Sequence, residues 1–175
     1  MECISRVEFR GVKMNFLYRK DGDVAKARAL VRRYLANKET LDLSDVDTET
    51  ITLILKLFLA SLNGSLITDD LRDDFIKASR IRGSRKRHET LHDVVERLPP
   101  SNHDTLIFLL EHLRHIIDAG NRNILNRLAE VFGPIVVGGS SQYLTPSLFM
   151  ISREDQIEVF KSLLELDFSE DENLA

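Results

Sequence analysis

Two stretches of this 175-residue chain are apolar almost all the way round a helical turn, and they limit the fold more than any other feature. One covers about 48–62, with Ile51, Leu53, Ile54, Leu55, Leu57, Phe58 and Leu59. The other follows Ser101, with Leu106, Phe108, Leu109, Leu110, Leu113, Ile116 and Ile117. A helix without a polar face has to be wrapped by other elements, so both rods are expected at the centre. Amphipathic segments surround them. Val24, Ala27, Leu30, Val31, Tyr34 and Leu35 recur at three-and-four spacing after a capping Asp23. Thr68-Asp69-Asp70 opens a helix that reaches about Arg82, where Gly83-Ser84 breaks it. Further helices are expected at about 86–97, from a cap at Ser101, from about Asn121 to Phe132-Gly133-Pro134, and at about 153–166. The stretch 135–151 reads as an irregular loop.

Eight Gly and four Pro leave too few turns for an all-β fold. The expectation is an all-α, single-domain helical bundle over residues 1–168, followed by an acidic, disordered tail at 169–175. No stretch approaches the roughly 20 apolar residues that span a bilayer, and the start lacks a signal peptide's apolar core. The single Cys3 excludes an internal disulfide framework and suits a reducing compartment, so a cytoplasmic location is expected.

Charge is spread unevenly. Residues 1–38 hold ten Lys/Arg against four Asp/Glu, an excess of +6 in a chain whose net charge is −4. That total does not fit a generic nucleic-acid binder, which depends on phosphate neutralisation. The basic lobe suits a smaller anionic target or an acidic protein face, and a solvated helix face accounts for it equally well.

Among short motifs, His88-Glu89-Thr90-Leu91-His92 matches H-E-x-x-H, where two histidines one turn apart hold zinc and the glutamate activates water. Its surroundings oppose that chemistry. Arg85, Lys86 and Arg87 precede it directly, and three cations repel a dication and disfavour neutral, ligating histidines. A third ligand would have to be Glu111, His112 or His115. Two surface histidines on a solvated helix explain the pattern better, and no metal site is expected. The run Arg80 to Arg87 could meet lipid or nucleic-acid phosphates, but without interleaved aromatics it reads as an exposed interhelical loop. No phosphate-binding Lys loop and no G-x-S-x-G elbow occur, so a stand-alone hydrolase is not expected.

Two cations stand in distinctive settings. Arg19 lies in Phe16-Leu-Tyr-Arg-Lys-Asp-Gly22, where Leu17 and Tyr18 could pin the chain while the guanidinium projects. Lys56 interrupts the first apolar rod; its stem either snorkels to an edge or marks a contact with an anionic partner.

In order along the chain, four segments resemble the Rho GTPase-activating protein domain. Glu8 to Gly22 is similar to E-x-x-G-L-x-x-E-G-I-[FY]-R-x-S-G, and Ile51 to Leu62 to V-A-x-L-L-K-x-[FY]-L-R-x-L-P. Leu98-Pro99 with Asn102 to Leu113 resembles L-P-x-x-N-x-x-x-L-x-x-L-x-x-H-L. Asn121 to Pro134 resembles N-x-M-x-x-x-N-L-A-x-V-F-G-P. The resemblance implies a bundle of the nine-helix type, monomeric, that docks on a GTP-loaded Rho- or Rac-family GTPase and acts in signal transduction. It implies that Arg19 is the catalytic arginine finger, that Lys56 helps hold the finger loop and the contact with the partner's switch, and that Lys20 and Arg127 contact the partner. Asn121 and Pro134 take structural places. No cofactor of the chain's own is implied, because GTP and Mg²⁺ belong to the GTPase.

The sequence departs from the family pattern in several places. Arg127 replaces the second Asn of the late motif, a donor-only cation for a short amide. Ala60 replaces the Arg of the rod, Asn15-Phe16 replaces Glu-Gly, and Leu62-Asn-Gly-Ser-Leu66 replaces Leu-Pro-x-Pro-Leu. The family's opening segment is missing, as in a truncated or diverged chain. These changes leave the alternative of a catalytically weak or silent module that binds GTP-loaded GTPases.

Overall fold

The computed structural model describes residues 2–10, 17–38, 40–119, 124–138 and 151–166. Eight helices occur among them: α1 (Glu2–Arg10), α2 (Val24–Asn37), α3 (Thr48–Ala60), α4 (Asp69–Ser79), α5 (Ser84–Glu96), α6 (Pro100–Ala119), α7 (Ile124–Val137) and α8 (Arg153–Leu164). No strand occurs among the described residues.

The apolar rods are α3 and α6. Ile51, Leu53, Ile54, Leu55 and Leu59 of α3 are buried, as are Leu106, Leu109, Leu110, Leu113 and Ile116 of α6. α1, α2 and α7 pack on α3, while α7 and α8 lie against α6. One continuous apolar core results, with Phe75, Phe132 and Phe160 among its largest fully buried side chains. Truncating such a phenylalanine to alanine costs about 3–5 kcal/mol.

Caps fix several helix starts. Asp23 accepts the Lys26 N–H at 2.9 Å, and Asp47 accepts the Thr50 N–H at 2.8 Å. Ser152 accepts the Asp155 N–H at 3.1 Å to open α8. Arginines add donors to carbonyls at helix ends and in a link. Arg114 of α6 donates to Leu163 and Leu164 at the end of α8, and Arg72 of α4 donates to the Val137 carbonyl at 2.9 Å. From α1, Arg10 reaches the carbonyls of Leu43, Ser44 and Val46 in the link before α3.

Three boundaries differ from the sequence expectation. α6 begins at Pro100, because a proline suits the first helical turn, so Ser101 lies inside the helix instead of capping it. α4 stops at Ser79, three residues short of Arg82. α7 does not end at Phe132-Gly133-Pro134 but continues to Val137. Pro134 cannot donate to the Glu130 carbonyl, and Arg153 of α8 donates to that oxygen at 3.3 Å instead. Gly133 lets α8 approach at this point, since a Cβ there would lie 2.7 Å from the Gln156 carbonyl oxygen. The 169–175 tail and most of the 135–151 stretch lie outside the described residues.

Candidate functional site

The segment 17–23 turns sharply into α2 and carries the exposed Arg19 and Lys20 at its tip. The two residues before the tip are buried in the core, Leu17 at 6% exposure and Tyr18 at 2%. Tyr18 adopts a left-handed backbone, φ 64°. Its ring meets Phe132 of α7 edge to face, with centroids 5.0 Å apart, and its hydroxyl lies 2.7 Å from Nε2 of His112 on α6. Nδ1 of the buried His112 lies 2.9 Å from a carboxylate oxygen of Glu8 on α1. A carboxylate only accepts, so Nδ1 carries the proton and the Tyr18 hydroxyl donates to Nε2. Burial pushes the Tyr18 phenol well above its ordinary range. It also pulls His112 below the usual histidine range, and Glu8 offsets only part of that.

Past the tip, the chain is bound to α3. Asp21 pairs with Lys56, carboxylate to Nζ at 2.5 Å. Gly22 lies against Thr50 so closely that a Cβ would meet its Oγ1 at 2.2 Å. The Asp23 N–H then donates to Thr50 Oγ1 at 2.8 Å, and that hydroxyl donates to Asp47 at 2.7 Å. Partial burial works against Asp47 ionising, yet the two hydrogen bonds from Thr50 hold its carboxyl below the usual range.

A cleft of about 220 Å³ opens between the tip and α7, lined by Leu17, Tyr18, Arg19 and, from α7, Ile124, Arg127, Leu128, Glu130 and Val131. Arg19 and Arg127 thus share one concave surface, although 108 positions separate them in sequence. Lys56 does not line this cleft; it reaches the same tip from α3 through Asp21. Pro134 lies in α7 beyond the cleft, and Asn121 lies outside the described residues. A larger cavity of about 340 Å³ sits between α1, α2 and α3. It contains none of these cations, and burial pushes the Cys3 thiol on its wall up to about 11, the opposite of an activated nucleophile.

The RhoGAP domain model matches residues 1–141 of this sequence. The chain belongs to the RhoGAP family. Rho GTPase-activating protein 23 of Mus musculus is 33% identical over 179 residues, taking in 98% of this chain and 12% of that protein. Mouse Rho GTPase-activating protein 15 is 30% identical over 178 residues, covering 98% of this chain and 37% of the relative. The chain therefore spans well under half the length of these curated relatives. Among solved structures, human Rho GTPase activating protein 15 superposes with a TM-score of 0.82 at 28% identity, over 93% of this chain and 78% of the other. The BH domain of GRAF, the GTPase regulator associated with focal adhesion kinase, gives 0.78 at 29% identity, over 94% and 87%.

In this RhoGAP domain Asp21 stands where the family pattern carries Ser, so the partner of Lys56 is an acid here. The resemblance implies that Lys56 helps hold this loop but does not name Asp21 as its partner, because nothing local links positions 35 apart. Sequence reading weighed His112 only as a zinc ligand. The structure instead buries His112 between Tyr18 and Glu8, away from any metal set. Among the described residues no group of three His, Cys, Asp or Glu side chains could hold a metal ion. Glu89 of the H-E-x-x-H match is paired with Arg85 at 2.8 Å. The basic run is partly neutralised by acids of α8 and its end, with Arg80 on Asp155 at 2.6 Å and Arg87 near Glu165 at 3.9 Å. No described helix is long and apolar enough to cross a membrane.

Proposed function

We propose that this RhoGAP domain accelerates GTP hydrolysis by a Rho-family small GTPase, with Arg19 as an arginine finger supplied in trans. The observation that carries this reading is the mounting of the tip. Arg19 is exposed between a buried, hydrogen-bonded Tyr18 and an Asp21 tied to α3, beside a cleft that holds a second arginine.

The chemistry asked of the chain is small and specific. As the γ-phosphoryl group leaves, negative charge grows on its oxygens and on the bridging oxygen. A guanidinium presents several N–H donors in a rigid fork, never deprotonates, and neutralises that charge inside a site that excludes water. Such a finger is worth roughly 10³–10⁵ in rate, provided it arrives in place. A 1 Å error costs about 10²-fold, so a tip held on both flanks serves the chemistry directly. Lys56 holds the tip through Asp21, Lys20 meets the partner beside the finger, and Arg127 extends the basic surface across the cleft. GTP, Mg²⁺ and the attacking water belong to the GTP-loaded partner, and the chain brings no cofactor.

Single-turnover GTP hydrolysis by a panel of Rho, Rac and related GTPases tests the proposal. Acceleration by wild type that is lost in Arg19→Ala supports it, whereas no acceleration, or equal acceleration by the variant, overturns it.

Arg127 favours a second reading. It places a long cation in the cleft where the family pattern carries a short amide. A partner held off by that side chain would be bound without turnover. Binding that prefers the GTP-loaded over the GDP-loaded GTPase, with no gain in hydrolysis, supports this alternative.

A further inference from the structure

We infer that Glu8, His112 and Tyr18 form a positioning relay: this buried hydrogen-bond chain locks residue 18 in its left-handed backbone and so fixes the direction in which Arg19 leaves the fold. The effect on rate rests on the function proposed above. The effect on Arg19 order does not.

Tyr18 is a bulky residue with φ 64°, a region that a residue with a Cβ enters only against about 1–2 kcal/mol of steric cost. Something has to repay that cost. Apolar burial alone would accept the ring in many poses, but a single hydroxyl bond selects one. The hydroxyl bonds Nε2 of His112 at 2.7 Å, and the two rings meet nearly perpendicular, 77° between planes. His112 is itself held, because Glu8 takes its Nδ1–H at 2.9 Å. The relay crosses three elements, α1, α6 and the turn into α2, whose residues lie 104 and 94 positions apart in sequence. Phe132 closes the remaining side of the tyrosine ring from α7. Residue 19 follows directly, exposed, with its direction set by the φ and ψ of residue 18.

The order hydroxyl, imidazole, carboxylate is also that of a hydrolytic triad. Here the hydroxyl belongs to a residue only 2% exposed, and burial raises its pKa, the reverse of activation. The chain of bonds holds a conformation and moves no proton.

Tyr18→Phe tests the relay, since it keeps the ring and its contact with Phe132 while removing only the hydroxyl. His112→Gln is the conservative rescue, retaining an amide oxygen that can accept from Tyr18; His112→Leu removes it. Three readouts are taken: ¹⁵N relaxation at the Arg19 amide, hydrolysis at saturating GTPase, and affinity for the GTP-loaded GTPase. In Tyr18→Phe the Arg19 order parameter should fall from the rigid range, about 0.85, to below about 0.6. The saturating rate should drop about tenfold, in keeping with one lost hydrogen bond at a position-sensitive site, while affinity stays within about twofold. His112→Gln should recover most of both losses, and His112→Leu should match Tyr18→Phe. Wild-type order at Arg19 in Tyr18→Phe overturns the relay, as does raised mobility with an unchanged rate. Should wild type fail to accelerate any GTPase, the functional reading fails, and the Arg19 relaxation data alone decide the relay.

Discussion

The Nζ of Lys56 lies 2.5 Å from the Asp21 carboxylate, so the middle of α3 grips the chain two residues beyond Arg19. Lys56 is mostly buried and Asp21 is half exposed. The lysine stem therefore crosses the apolar face of the rod while its ammonium meets the acid at the edge.

Because water reaches this pair, its worth to global stability is small, below about 1 kcal/mol. Its expected effect is on the tip. Lys56→Met and Asp21→Asn should each lower the single-turnover rate about tenfold while the thermal midpoint moves little. The double variant should be no slower than the slower single one, because both remove the same tether. Rates that multiply would show that the two residues act separately.

Gly22 has no room for a side chain against Thr50, whose backbone nitrogen would lie 2.3 Å from a Cβ. Thr50 is the hub that links Asp23 to Asp47 at the start of α3, so it cannot retreat without breaking caps. Gly22→Ala should cost about 1–3 kcal/mol in urea denaturation and displace the tip, with a loss of rate of about 10²-fold.

Stability should depend on pH through His112. Its pKa is lowered in the folded protein, first by burial, with Glu8 pulling the other way and the nearby His115 adding slightly to the lowering. Below about pH 6.5 the unfolded chain takes up a proton that the folded chain resists, so stability falls as pH drops through that range. His103 has the opposite sign: a hydrogen bond to Asp104 raises its pKa, giving stability that is present in mild acid and lost as pH rises. It lies near the surface, so its share is the smaller. Urea midpoints from pH 5 to 8 should decline toward acid in wild type and flatten in His112→Gln. His103→Gln should steepen the decline slightly.

Arg127 faces the cleft from α7 beside Glu130. A cation at the rim of an interface chiefly governs encounter and salt sensitivity. Arg127→Asn should make association with the GTPase less dependent on ionic strength and shift the half-saturating concentration about threefold. The saturating rate should stay within about twofold. Stopped-flow association at two salt concentrations checks this.

Much of the fold could be read from local pattern because its signals are local. The all-round apolar runs of α3 and α6 demand burial wherever they occur, and Asp23 caps α2 within four residues of its own position. One error arose where a distant group changed a local rule. Pro134 is a helix terminator on its own, but Arg153, 19 residues later, takes the carbonyl it leaves unmet, and Gly133 lets α8 close over that turn. The site divides in the same way. Arg19 with buried Leu17 and Tyr18 behind it was visible in a seven-residue window. Asp21 on Lys56 and Glu8 on His112 were not, since each pairing exists only once helices far apart in sequence are packed together.

The role proposed for Arg19 is to complete a partner's catalytic site. Its most direct measurement is single-turnover GTP hydrolysis by Rho-family GTPases in the presence of wild type, Arg19→Ala and Arg19→Lys. Wild type should give a large acceleration, at least about 10³-fold of it lost in Arg19→Ala, with little recovery in Arg19→Lys, since lysine lacks the planar fork. Undiminished acceleration by Arg19→Ala on a GTPase that wild type activates would contradict that role.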